Sequence, residues 1–102
     1  MVKSKKYVIR WSDMAKSQLK EIYRHIKKDS EQSAKKVKTK ILASTKILEL
    51  GKEVYKSDIL KINNDGTYRA YIIYSYRIVY KINDDSINIL RIRHTSREPL
   101  EY

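Results

Sequence analysis

Residues 68–94, YRAYIIYSYRIVYKINDDSINILRIRH, leave little room for anything but three consecutive β-strands. The pattern predicts strands over Tyr68–Tyr74, Tyr76–Ile82 and Ser86–His94. In the middle one Tyr76, Ile78, Tyr80 and Ile82 share a face, while Arg77, Val79 and Lys81 share the other. That period of two is the mark of a half-buried strand. Ser75 leaves almost no linker between the first two strands, so they are antiparallel neighbours. Asn83-Asp84-Asp85 supplies a hairpin turn from residues that bond their own backbone and tolerate left-handed geometry. Five of the nine tyrosines fall between Tyr68 and Tyr80. Each combines an apolar ring with a polar tip, which suits a sheet face that is not fully dry. Arg69, Arg77, Arg91 and Arg93 punctuate the same stretch.

The segments before this sheet read as a short strand and two helices. Lys6–Trp11 is a first strand, and Ser12 offers a helix N-cap with Asp13 in the first turn. Ala15, Leu19, Ile22 and Ile26 then recur at helical spacing to about Lys28, with Tyr23 beside the stripe. After Asp29, either Ser30 or Ser33 caps a second helix. Its stripe is Ala34, Val37, Ile41 and Leu48, helped by Leu42 and Ile47, and Gly51 stands where a C-terminal cap belongs. Glu53–Ser57 reads as a loop and Asp58–Ile62 as a short additional strand. Asn63-Asn64-Asp65-Gly66 makes a tight turn into Tyr68. Pro99 stops the ladder after His94. The expected architecture is α+β, a two-layer β-α-α-β-β-β arrangement with or without the extra strand. A helical hairpin packs on a small, mainly antiparallel sheet through Leu19, Ile22, Ile26, Val37, Ile41 and Leu48 against Tyr76, Ile78 and Tyr80.

At 102 residues the chain suits one domain over 1–102 with one core. No apolar run is long enough to span a membrane, and the basic N-terminus is too short in apolar residues for a signal peptide. With no cysteine, disulfides and thiolate metal sites are excluded, and a cytoplasmic location is expected. Two histidines are too few for a metal cluster, so neither a metal nor another cofactor is expected. The net charge of +11 points to an anionic partner. Its distribution is uneven: residues 1–56 carry +10 and residues 57–102 carry +1, yet five of the seven arginines lie in the second part. Lysine on helices suits long-range attraction, whereas the planar fork of arginine suits directed contact with phosphate.

The order and wording of the chain resemble the RelE/ParE superfamily of toxins from bacterial type II toxin–antitoxin systems. The resemblance runs from Trp11-Ser12 and the Ala15/Leu19/Ile22 helix through Tyr76-Arg77-Ile78-Val79-Tyr80. It continues along Ile87-Asn88-Ile89-Leu90-Arg91-Ile92-Arg93-His94 to Arg97-Glu98-Pro99. It implies a compact toxin neutralised by an antitoxin protein that wraps it, and the charge of +11 favours an acidic, partly disordered one. Members divide into ribosome-dependent endoribonucleases that cut mRNA and inhibitors of DNA gyrase. The first class implies the ribosome and mRNA as partners, and the second implies gyrase. The endoribonuclease is the leading expectation and the gyrase inhibitor, without catalysis of its own, the alternative.

Metal-free RNA cleavage lets a 2′-hydroxyl attack the adjacent phosphate. It needs a base, an acid and cations around the pentavalent phosphate. Placing Tyr76, Ile78 and Tyr80 inward turns Arg77 outward, where it can clamp phosphate while supporting little of the core. Depending on register, Arg91, Arg93 or His94 joins it. His94 can give or take a proton near pH 7. By resemblance, Arg97 and Tyr102 stand where some nucleases carry an Arg and a base-stacking or proton-moving Tyr. Lys61 and Arg69 can add to the phosphate field. His25, among Tyr23, Arg24 and Lys27, is expected to face solvent and is given no role.

Overall fold

The computed structural model describes residues 6–50, 55 and 57–97. Its elements are β1 (Val8–Trp11), α1 (Asp13–Lys27), α2 (Glu31–Ile47), β2 (Tyr68–Ile73), β3 (Tyr76–Ile82) and β4 (Ser86–His94). Short 3-10 turns cover Leu48–Leu50 and Thr95–Arg97. The sheet order is β1-β4-β3-β2, with β1 parallel to β4 and the other two pairs antiparallel. Two helices on a four-stranded mixed sheet give the expected α+β architecture. Among the described residues no helix is long and apolar enough to cross a membrane.

The helix starts are set by side chains. The Ser12 hydroxyl accepts the N–H of Ala15 at 3.0 Å, and the Ser30 hydroxyl accepts that of Ser33 at 3.1 Å. Each satisfies a donor that the first helical turn leaves without a partner. Ser30, not Ser33, is therefore the cap of α2. The expected cap at Gly51, and the loop from Glu53 except for Tyr55 and Ser57, lie outside the described residues. So does the expected stop at Pro99.

Ala15, Leu19, Ile41 and Leu48 are buried against Tyr71, Tyr76, Ile78, Tyr80, Ile87, Ile89 and Ile92, with Ile22, Ile26 and Val37 packed at the margin. Leu42 and Ile47 remain exposed and do not join. One polar contact runs through this layer: the Tyr71 phenol and the Ser44 hydroxyl lie 2.8 Å apart, and Ser44 also donates to the Ile41 carbonyl. Tyr55 stacks on Tyr71 with ring centroids 4.0 Å apart, closing the core beside β2.

β4 carries a bulge. Val79 pairs with Arg91 and Tyr80 with Ile89, leaving Leu90 as the extra residue. The Leu90 carbonyl accepts from the Ser12 hydroxyl at 2.7 Å, and the Ile92 N–H donates to Oε1 of Gln18. These bonds tie α1 to β4 on both sides of the irregularity.

The expected strand over Asp58–Ile62 does not form. Oδ1 of Asp58 accepts the N–H of Leu60, and the Asp58 carbonyl accepts that of Lys61, so the chain turns back on itself. Only an isolated antiparallel bridge, Ser57 with Arg69, touches the edge of β2. The turn into β2 is as expected: Asn63 and Gly66 take positive φ of 53° and 94°, and Asn64 Oδ1 accepts the Gly66 N–H.

Candidate functional site

Register sorts the candidate residues by face. Arg77 pairs with Arg93 and Val79 with Arg91, so these three arginines share the face away from the helices. Lys81 lies on the same face, opposite Asn88, and Asn88 in turn pairs with Arg10 of β1. His94 pairs with Tyr76. It therefore lies on the helix side, with Arg77 on the other. Of the three residues that register could have brought beside Arg77, the geometry selects Arg93 directly and Arg91 diagonally, and it excludes His94.

Arg77 is not an open cation. Its Nη2 donates to Oδ1 of Asp58 in a close ion pair, and the two side chains are 14% and 0% exposed. Asp58 leaves the edge of β2 with its N–H bonded to the Tyr68 carbonyl, on the side from which its carboxylate reaches Arg77. The expectation that Arg77 supports little of the fold is therefore corrected, because it is half of a buried pair that fastens the 57–66 loop to the sheet. Nε of Arg77 and Nε of Arg93 are both buried without a hydrogen bond.

Arg69 alternates to the helix side of β2. It donates from Nε to the Gly66 carbonyl and from Nη1 to the Tyr55 carbonyl, which holds the loop closed. That disposition separates it from the open-face cations. Nζ of Lys61 stands 4.8 Å from the centre of the Tyr68 ring and Nζ of Lys81 stands 5.2 Å from it, so one aromatic ring braces two ammonium groups.

His94 belongs to a cleft of about 480 Å³ between α1 and the end of β4. Nδ1 of His94 accepts the N–H of Ser96 at 3.0 Å and lies 2.8 Å from the Ser96 hydroxyl. The neutral imidazole therefore carries its proton on Nε2. Its ring meets Tyr76 edge-on at 5.3 Å, and burial pushes the Tyr76 phenol above its ordinary range. Arg97 follows in the 3-10 turn at the cleft's lip, while Tyr102 lies outside the described residues. Glu21 and His25 line the opposite wall from α1. His25 is solvent-facing as expected, yet it shares a cleft with His94. Its spacing of four from Glu21 was the available signal, and only the packing of α1 against β4 shows what that helix face looks at. Among the described residues no group of three or more His, Asp or Glu side chains is arranged to hold a metal.

A second groove, of about 560 Å³, runs between the helices beside β1. Its floor is Trp11, Leu19, Tyr23 and Leu42, and Lys16, Lys20, Arg24, Lys27 and Lys38 line it with no carboxylate among them.

Comparison with known proteins adds three findings. The family model described as the ParE toxin of the type II toxin-antitoxin system, parDE, matches residues 9–99. A solved chain of the chromosomal ParDE toxin–antitoxin system from P. aeruginosa superposes with a TM-score of 0.69 at 18% identity, over 86% of this chain and 95% of that one. A chain of the RelBE2 toxin–antitoxin complex from Mycobacterium tuberculosis does so with a TM-score of 0.61 at 18% identity, over 90% of this chain and 94% of that one. At these identities the structural likeness speaks for the fold. Among curated protein sequences, none matches significantly.

Proposed function

The chain belongs to the ParE toxin family of type II toxin–antitoxin systems, and from that premise we propose that it acts by binding DNA gyrase, with no chemistry of its own. The observation that carries this reading is the separation of Arg77 from His94. Cleavage of RNA requires the phosphate clamp and the proton-transfer groups to reach one phosphate. Side chains on two faces of one sheet do not converge in that way, and the Arg77 charge is already paired with Asp58. An inhibitor that works by contact needs no such convergence.

Ribosome-dependent mRNA cleavage is the second reading. One observation favours it: His25, Arg93, His94 and Arg97 line a single cleft, which would put proton transfer and cations there without Arg77.

Control by a cognate antitoxin is part of the proposal. The groove between α1 and α2 has an apolar floor and five cationic side chains. It suits an acidic amphipathic segment that orders on contact. The deciding experiment is expression of the toxin with and without the product of the neighbouring gene, scoring growth, chromosomal DNA breaks and mRNA ends. DNA breaks with intact mRNA support the gyrase reading. Cut mRNA with relaxed dependence on gyrase overturns it in favour of the second.

A further inference from the structure

We propose that the open face of the sheet is a binding surface for the phosphate backbone of duplex DNA, so that the toxin grips the DNA in its target complex as well as the enzyme. The biological setting rests on the gyrase reading, but the surface stands on its own geometry. Arg10, Asn88, Lys81 and Tyr68 form one continuous row across all four strands. At the usual spacing of strands such a row is about 14 Å wide. Arg91 occupies the next row and Arg93 the one after, beside Arg77. Successive rows are two strand residues, about 6.7 Å, apart, comparable with the distance between neighbouring phosphates on one strand.

The strands themselves add no negative charge to this face. None of the four strands contains an Asp or Glu. Asp58, reaching in from the loop, is taken up by Arg77. Arg77 and Arg93 stand directly opposite each other, and because Asp58 already balances Arg77, the charge this row presents is that of Arg93.

The shape of the face selects the kind of anion. A protein partner would need an apolar anchor in a pocket; among the described residues the centre of this face offers the small Ala70 and the fully buried Val79, and its exposed aliphatic side chains, Ile72 and Val8, stand apart on the two edge strands. Single-stranded nucleic acid is held largely by bases stacking on aromatic rings. Among the described residues of the four strands, the one aromatic side chain on this face, Tyr68, already braces Lys61 and Lys81. Cations spread over successive rows, with their aromatic ring already engaged, match backbone contact with a duplex, which carries no sequence information.

The test titrates the full-length protein into a short fluorescein-labelled DNA duplex, reading anisotropy between roughly 50 and 200 mM salt. Three proteins are compared: wild type, Arg10→Gln/Lys81→Gln/Arg93→Gln, and Lys36→Gln/Lys40→Gln, whose changes lie on exposed α2 positions. Circular dichroism and melting establish that each is folded. The face variant is expected to bind at least tenfold more weakly at the lowest salt. It should also lose about 2.7 from the slope of log affinity against log salt, the value for three phosphate contacts. The α2 variant should stay near wild type. Equal losses in the two variants would mean diffuse charge rather than a surface and would overturn the proposal. So would an unchanged face variant, or tighter binding of single-stranded RNA than of the duplex. Supercoiling by gyrase, assayed separately with wild-type toxin, reports on the gyrase reading. A toxin that binds duplex but spares gyrase refutes only that reading, and one that inhibits gyrase without binding duplex refutes only this surface.

Discussion

Arg77 and Asp58, nineteen positions apart in the chain, form an ion pair whose carboxylate is wholly out of solvent. Removing one partner of such a pair leaves a charge buried without compensation, which destabilises by about 3–5 kcal/mol. Asp58→Ala and Arg77→Ala are each expected to lower the melting temperature markedly, by losses of that order. The double variant Asp58→Ala/Arg77→Ala should cost well below their sum, since it strands neither charge. Additive losses in chemical denaturation would show that the pair is not coupled. Loss of toxicity in Arg77→Ala alone is therefore no evidence of a contact with phosphate.

Ser12 caps α1 and donates to the carbonyl of the bulge residue Leu90, 78 positions away. Ser12→Ala removes both bonds at a half-buried site. A cost of about 1–2 kcal/mol is expected, more than at Ser30, whose hydroxyl serves only its own helix at an exposed position. Equal losses in Ser12→Ala and Ser30→Ala, measured by urea denaturation, would remove the bulge from the account.

The alternation in Tyr76–Ile82 and the helical stripes were legible because burial repeats with the local period, and local period is what a sequence displays. The same holds for Ser12, Ser30 and the 63–66 turn, where each side chain serves backbone within a few residues. Asp58 escapes a local reading for the complementary reason. DILKI looks like a strand, but its aspartate folds the backbone onto itself and finds its partner at Arg77, information that no window around residue 58 contains. The face of His94 also depended on a distant fact. Leu90 is an extra residue in β4, and an alternation counted straight back from His94 to Ile87 would put those two on opposite faces, whereas both lie toward the helices. Arg10 stands in a strand too short to show its faces, and its place on the open face follows only from the parallel pairing of β1 with β4.

Tyr71 makes the fold sensitive to alkali. Burial, and then the neighbouring Tyr55 and Tyr80, hold its phenol neutral above its ordinary value of 10.0, although the Ser44 hydrogen bond works the other way. Because the folded pKa is raised, the stabilisation is complete below pH 10 and is lost as pH rises past it, where the unfolded chain ionises first. The loss approaches about 1.4 kcal/mol per pH unit. Wild type should therefore lose stability faster above pH 10 than Tyr71→Phe, the difference vanishing near neutrality except for the lost bond to Ser44. Parallel melting curves from pH 8 upward would refute it.

The helical groove predicts how an antitoxin is recruited. Lys20, Lys27 and Lys38 line it and are exposed, so reversing them changes the field with little effect on packing. Lys20→Glu/Lys27→Glu/Lys38→Glu is expected to slow association with the cognate antitoxin at least tenfold at low salt, with the gap narrowing as salt rises. Surface plasmon resonance across a salt series measures this. An unchanged association rate would place the acidic segment elsewhere.

His94 separates the two readings of function most directly. Its Nδ1 accepts the Ser96 N–H, a bond that a glutamine carbonyl oxygen can also accept, so His94→Gln should keep the 3-10 turn over Thr95–Arg97. What it loses is the imidazole, the group that would serve as general acid or base. Under the gyrase reading that group is idle, and growth arrest by His94→Gln should match wild type within about twofold, as should arrest by His25→Gln. Under the mRNA reading, loss of a general acid or base slows cleavage by roughly 100-fold to 10,000-fold, and arrest should fail. Induction of each variant at matched protein levels, with colony counts and mRNA end mapping, distinguishes the cases. Failure of arrest in a folded His94→Gln would move the chemistry to the α1–β4 cleft and make the open face, with Arg10, Arg91 and Arg93, a surface that positions a substrate cut elsewhere.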